Sequence, residues 1–525
     1  MCQTDCAAGV SVEHLMAEKM GLAHFFKISC TVCPWHIKFS SSKQCDRIEG
    51  TTGRTGYEIN RRTIVAFREN GLGLSGIESF SRCMNMPQPM SKTTFDEISS
   101  SIHNAYVEAA QESMNKAANE ARLKYIEEDP TNVDEDGVTD ISVSGDGAWQ
   151  KRGYSSLNGV MTLIAEGKCI DNEVMSKKCR QCDLWEKKKG TEEYEKWKKT
   201  HDNFCSMNHQ GSSGAMEVTG LKRIYHRSVK NHKLRYKFYI GDGDSKSFAE
   251  VSSSNPYPGH NLTKGECIGH VQKRVGTRLR KIKVSYKGRK LSDGKGIGRG
   301  KGRLTDKIMN TLQNHYGMAI RQNTDSLYAM KKSVAAVLFH STADPDPEKR
   351  HRFCPRTKDS WCKYQSDKIT GEKTYKGKLN IDKTVSDVIA DVFSNKDLGN
   401  EELLKKCLHG QTQNVNESLN NLIWTRCPKR IYVGNTTFKT AVASAVISFN
   451  EGESGLISVF TKLGIEPGHF TATSFQKADL RRVKESNRKA TEAEKLRRKR
   501  LRAARKGFDD KNAEEEGDVY GYGEH

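Results

Sequence analysis

No stretch of this 525-residue chain is apolar over anything near the ~18 residues a membrane span requires. The longest candidate, residues 441–449, is about half that length. The N-terminus lacks the basic segment, apolar segment and small-residue cleavage site of a secretory leader, so an intracellular, soluble protein with no membrane partner is expected. No internal repeat is visible. Acidic residues are in deficit, with 65 Asp+Glu against 86 Lys+Arg, a formal charge of +21 and a pI near 9.2. That imbalance favours a polyanionic partner, because each neutralised phosphate releases counterions. No amphipathic membrane anchor stands out, which puts nucleic acid ahead of lipid headgroups.

Mean hydropathy is −0.73, yet hydrophobic residues still make up 35% of the chain, enough for a true core. The length allows two to four domains. Fifteen cysteines in an intracellular chain point to metal sites rather than disulfides, the more so as many fall in CxxC and CxxH pairs.

Four regions separate along the chain. Residues 1–60 are rich in cysteine and turn formers. Residues 61–135 begin with a helical pattern, in which Phe95, Ile98, Ile102, Ala105 and Ala109 recur at near-helical spacing and "SKTTFDE" reads as a capped helix start. They end in the acidic loop "EEDPTNVDEDG". From 136 to about 450 the period changes. "DISVSGDGAWQ", "LNGVMTLIAEG" and "CIDNEVM" read as a strand meander, followed by a helix near "SSGAMEVTGLKRIYH", a strand at "LRYKFYIGDGDS", and then helices. This order predicts an α/β core. Residues 451–525 read as a charged, partly disordered tail.

Three acids stand out. Asp146 follows the strand-like "ISVSG" and Asp242 follows "YKFYIG", each in a Gly-Asp-Gly setting. Glu417 lies in the helical "TQNVNESLNNLIW". Metal-dependent phosphodiester cleavage needs carboxylates that meet in space and hold hard cations, and strand ends fix such groups well. Gly145 and Gly147 are read as room for a phosphate backbone beside Asp146. Asp244 shares a strand face with Asp242 and is the alternative second acid; Asp242 is preferred because it directly follows the apolar strand.

The order Asp, Asp, Cys-x-x-His, Glu resembles the Mutator-like transposases. "SGDGAWQKRGYSS", "IGDGDSKSF", "ECIGHVQKRVGTRL" and "TQNVNESLNNLIWTRCPK" carry the resemblance, with "GSSGAME" and "GRGKGRLTD" similar to the animal branch; together they span roughly residues 55–450. The resemblance implies an RNase H-like α/β core with a zinc-knuckle insertion (about 175–212) and a helical insertion (about 290–405), a helical N-terminal region and a basic tail. It also implies a catalytic triad of Asp146, Asp242 and Glu417 holding Mg²⁺ or Mn²⁺. The expected reaction is nicking at transposon ends, then attack of the freed 3′-hydroxyl on target DNA. Pairing of two ends implies a homo-oligomer. The rival readings are a domesticated, inert DNA-binding protein and an RNase H-type nuclease.

Cys179-x-x-Cys182 followed by His201-x-x-x-Cys205 has the spacing of a structural Zn²⁺ site, with His209 the alternative to His201. The resembling family carries similar residues there. Cys267 and His270 are read as bracing the acidic site, or else as metal ligands. His340, His351, Cys354 and Cys362 form another candidate set, as do Cys2, Cys6, Cys30 and Cys33.

From Lys273 to Arg303 the chain is overwhelmingly basic. Lys273, Arg274, Arg278, Arg280, Lys281, Arg299, Lys301 and Arg303 are the expected DNA-phosphate contacts. "GKGIGRGKG" lacks the buried strand and Lys-Ser/Thr ending of a nucleotide-binding loop, so a flexible DNA-tracking loop is expected instead. The tail run "KLRRKRLRAARK" reads as a nuclear localisation signal or DNA arm, and both place the protein in the nucleus.

Overall fold

The computed structural model describes residues 9–46, 56–151, 156–242, 245–358, 360–377, 380–498, 500–501 and 504. Cys2, Cys6, Asp244 and much of the basic tail run lie outside the described residues.

The first elements are β1 (Val10–His14), β2 (Phe25–Cys30), β3 (His36–Ser40), α1 (Glu58–Glu69), α2 (Leu74–Cys83) and α3 (Lys92–Glu128). Next come β4 (Thr139–Trp149), β5 (Asn158–Ala165), β6 (Lys168–Ser176), α4 (Arg180–Trp185), α5 (Glu192–His201), α6 (Ser213–His232), β7 (Leu234–Gly241), α7 (Ser245–Ser253) and β8 (Thr263–Glu266). The remainder is helical: α8 (Ile268–Ser285), α9 (Asp306–Arg321), α10 (Leu327–Ser341), α11 (Pro347–His351), α12 (Lys363–Thr370) and α13 (Lys383–Ile389). The last helices are α14 (Glu401–Lys405), α15 (Asn414–Arg426), α16 (Asn435–Glu451), α17 (Leu456–Lys462) and α18 (His469–Ala490). No described helix is long and apolar enough to cross a membrane.

The chain divides into two compact units, one of residues 1–67, 72–110 and 447–525, the other of residues 68–71 and 111–446. In the first, β1, β2 and β3 form an antiparallel sheet. Ser91 caps α3, its hydroxyl accepting from Thr94 N at 3.2 Å. Buried Asn60 on α1 accepts from Leu22 N and donates to Met20 O, which satisfies loop groups that would otherwise be orphaned. The stretch after 451, expected as a charged tail, instead buries Leu456, Val459, Phe460, Leu463 and Ile465. Asp479 of α18 accepts from Glu453 N and Ser454 N, holding that helix to the same stretch.

The second unit is a mixed α/β assembly around a five-stranded sheet of order β6-β5-β4-β7-β8. β4–β5 and β5–β6 pair antiparallel, while β4–β7 and β7–β8 pair parallel. Every residue of β5, "NGVMTLIA", is buried, as expected for a continuous apolar run covered on both faces. α6 packs on the sheet through Met216, Leu221, Ile224 and Tyr225. At Gly220 the close approach of Met161 and Met175 leaves no room for a Cβ.

The helices after β8 have a separate apolar core that includes Leu279, Leu312, Tyr316, Val334, Val385 and Phe393. The glycine-rich stretch after α8 is anchored in it by Leu291, Ile297 and Leu304, and Lys290 bridges Gly296. Arg303 corrects an expectation. Its side chain is 2% exposed and pairs with Asp293 and, at 3.2 Å, with Asp382. Its guanidinium therefore closes this loop onto the helical core and is not presented to DNA.

Candidate active site and metal centres

Asp146 sits on β4, the central strand, and Asp242 directly follows the parallel neighbour β7. Parallel pairing brings the two strand ends to the same edge of the sheet. Glu417 lies in the first turn of α15, which packs on β4 and β5. His270 on α8 links the outer pair: its Nδ1 is 3.3 Å from Asp242 Oδ1 and its Nε2 is 3.9 Å from Glu417 Oε1. Lys273 stands 3.9 Å from Glu417, and Arg274 stands 3.9 Å from Asp242 and 2.7 Å from Glu266.

The fit of α15 against β4 is made by amide side chains. Gln413 Nε2 donates to Gly145 O at 2.6 Å, and Asn416 Nδ2 donates to Ser144 O at 3.1 Å. The Ser144 hydroxyl returns a bond to Asn416 Oδ1 at 2.6 Å, and Asn420 Nδ2 donates to Asp146 Oδ2 at 2.6 Å. Positions 413, 416 and 420 recur at helical spacing, so one face of the helix bonds the strand around Asp146.

Burial pushes the Asp146 carboxyl up, and the neighbouring Glu217 adds to it; His270 pulls the other way, and Glu417 and Asp242 raise it further, to about 7. Glu217, on α6, had no role from the sequence. It lies within the "GSSGAME" segment, which gives a signal of resemblance but none of geometry.

The glycines beside the acids have an internal reason. A Cβ on Gly145 or Gly241 would meet the Tyr239 ring at 2.6 and 2.5 Å, and one on Gly147 would meet the Trp149 ring at 2.5 Å. Tyr239 is buried and donates to Gly145 O at 3.2 Å. The room expected for a phosphate beside Gly145 is thus filled by an aromatic ring.

Cys267 joins three elements. Its N–H donates to Gly241 O, its Sγ accepts from Gln413 N at 3.3 Å, and it caps α8. Burial pushes the thiol up, but hydrogen bonds from His270 and Gln413 outweigh this and hold it below its usual value. The bond to Cys267 raises His270, opposed by burial and aided by Asp242. The pair therefore ties the ends of β7 and α15 to α8.

Beside Glu417 opens a cleft of 640 Å³, lined among others by Trp149, Lys151, Asn421, Trp424 and Lys429. Of the expected phosphate contacts, Lys273, Arg278, Arg280, Lys281, Arg299 and Lys301 are exposed, though Arg278 pairs with Asp397 at 3.1 Å. Arg274 is half-buried in its acid pairs.

Between β6 and α6, Cys179, Cys182, His201 and Cys205 bring their ligand atoms within 4.8 Å of one another. His201 Nε2 lies 3.4 Å from Cys179 Sγ and 3.3 Å from Cys182 Sγ, and Cys182 and Cys205 sulfurs lie 3.5 Å apart. His209 instead bonds Ser212 O. The cluster can hold zinc. A second such cluster joins His340, His351, Cys354 and Cys362.

The family model described as Mutator-like transposase matches residues 1–362. The chain belongs to the Mutator-like transposase family. Neither the curated proteins nor the solved structures contain a match. For a Mutator-like transposase, membership implies a DNA-binding enzyme of the strand-cleaving and strand-transferring class, with divalent-metal dependence. In this Mutator-like transposase the matched span includes Asp146, Asp242 and both Cys/His clusters; Glu417 lies beyond it.

Proposed function

We propose that the chain is a DDE transposase in which Asp146, Asp242 and Glu417 are the catalytic acids. The observation that carries this reading is their convergence around His270, with the Asp146 carboxyl pushed up by burial and by the nearby acids. Such a concentration of negative charge at the edge of a DNA-binding protein is costly unless cations enter it. The strand order β6-β5-β4-β7-β8, antiparallel on one side and parallel on the other, supports an RNase H-like core.

The three carboxylates fit Mg²⁺ or Mn²⁺, whose oxygen preference they meet; such ions would activate the attacking oxygen and stabilise the leaving one. Asn420 fixes one oxygen of Asp146 and leaves the other for a ligand. His270 spaces Asp242 from Glu417, and Cys267 holds His270. Lys273, Arg280, Lys281, Arg299 and Lys301 supply exposed cations for the DNA backbone, and the Trp- and Lys-lined cleft beside Glu417 suits a nucleic-acid strand. Cys179, Cys182, His201 and Cys205 hold a structural Zn²⁺ in this reading.

The test is strand cleavage and strand transfer on labelled transposon-end DNA with Mg²⁺ or Mn²⁺, comparing the unaltered chain with Asp146→Asn, Asp242→Asn and Glu417→Gln. Cutting and joining abolished by each change is expected. Tight binding without cutting would leave an inert, domesticated DNA-binding protein, and cutting without joining would indicate a nuclease. Two transposon ends held by one oligomer, seen by sedimentation with end DNA, belong to the same reading; strictly one chain per end complex would overturn that part. Nuclear accumulation should be lost when residues 495–506 are removed, and its persistence would refute a localisation role for them.

A further inference from the structure

The segment between α10 and α13 is an excursion that leaves and returns at one place, where Thr342 and Ile381 form a parallel bridge. Among its described residues it has almost no apolar core: Cys354 and Cys362 pack with Ala336, Phe353 and Tyr364, and little else. An excursion of this size needs a staple, since so small an apolar cluster cannot offset the entropy of ordering it.

The staple lies at its base. His340, in the last turn of α10, meets His351 at the end of α11, Cys354, and Cys362 at the start of α12. The two imidazole Nδ1 atoms are 3.1 Å apart. Cys354 Sγ is 3.4 Å from His340 Nδ1 and 3.8 Å from His351 Nδ1, and Cys362 Sγ is 3.4 Å from His351 Nδ1. Tetrahedral zinc, with Zn–S of about 2.3 Å and Zn–N of about 2.05 Å, demands edges of about 3.3 Å between nitrogens and about 3.6 Å from nitrogen to sulfur. The observed edges fall on both sides of those values by a few tenths of an ångström. Both cysteines are fully buried and neither is in a disulfide. Protons cannot satisfy four inward-facing lone pairs at once, whereas one dication does.

We infer that His340, His351, Cys354 and Cys362 bind a structural Zn²⁺ that folds the 343–380 excursion onto α10. Two thiolates and two imidazoles in a closed tetrahedron are a ligand set for zinc; they leave no open position for catalysis. The inference is independent of the catalytic reading, because no acid of that site takes part.

The zinc content of the purified full-length chain, measured by elemental mass spectrometry, tests the site. Cys362→Ser and His340→Ala should each remove one equivalent per chain, while His340→Cys should retain it. Cys205→Ser, altering the other cluster, should leave this equivalent in place. Because these variants can also lose the fold, hydrogen exchange is measured on the unaltered chain with and without a zinc chelator. Exchange in peptides covering residues 343–377 should accelerate at least ten-fold on chelation and recover on adding Zn²⁺. Unchanged zinc content in Cys362→Ser, or unchanged exchange in those peptides after zinc is removed, would overturn the inference.

Discussion

Asn420 donates its amide to Asp146 Oδ2 at 2.6 Å from a helix that also carries Glu417. One element thus presents one candidate acid and orients another. The bond also lowers the cost of leaving Asp146 partly buried among other carboxylates.

In the proposed triad Asn420 is a positioning residue with a measurable share in metal binding. Asn420→Ala should weaken Mn²⁺ affinity by roughly 10–100-fold, the usual cost of losing a group that orients a ligand. Asn420→Asp loses the same amide donor but adds a carboxylate that attracts the cation, so it should recover part of that affinity. Calorimetric titration of Mn²⁺ into the full chain reads both; equal affinity in all three proteins would remove Asn420 from this role.

Asp146 makes stability depend on pH in a direction opposite to that of a salt-bridged carboxylate. Its folded value of about 7 lies above the ordinary aspartate value of 3.8, so the folded state holds the proton more tightly. Without metal, stability should fall as pH rises from near 4 to about 7 and then level off. Asp146→Asn keeps the site neutral throughout. It should therefore stabilise the chain more at pH 8 than at pH 5, by up to about 3 kcal/mol, read as a larger rise in melting temperature at pH 8. Mg²⁺ should stabilise the unaltered chain at pH 8 and have less effect on the variant. Identical shifts at both pH values would contradict the assigned environment of Asp146.

Arg303 and Lys281 contrast a buried structural cation with an exposed one proposed to meet DNA. Arg303→Ala removes a buried guanidinium from between the more exposed Asp293 and Asp382 and leaves a void in the loop's packing, and should cost about 1–3 kcal/mol of stability. Lys281→Ala should leave thermal stability unchanged, weaken DNA binding at all sequences, and reduce the salt slope of the affinity by about 1. A salt slope unaltered by Lys281→Ala, measured by fluorescence anisotropy, would exclude it from the phosphate contacts.

The elements were legible where a local pattern determines them. Short strand-like runs mark β4, which carries Asp146, and β7, which Asp242 follows, and the paired spacing of Cys179, Cys182, His201 and Cys205 marks a cluster that the fold does bring together. What stayed hidden depends on partners distant in the chain. Gln413, Asn416 and Asn420 look like a solvated face until β4 supplies carbonyls and a carboxylate opposite them. Glu217 is ordinary until α6 crosses the sheet near Asp146. Arg303 matched its basic neighbours in composition, and only the positions of Asp293 and Asp382 distinguish it. Leu456, Val459 and Phe460 were masked by the charge density that follows them.

The ring of Tyr239, wedged against Gly145 and Gly241, uncouples the two halves of the Gly-Asp-Gly signature. Folding alone suffices to retain those glycines, because any side chain there displaces a buried tyrosine. A decaying genomic copy that had lost its chemistry but kept its shape would still display both glycines. Their persistence is a mark of an intact scaffold, and the aspartates between them have to be judged separately.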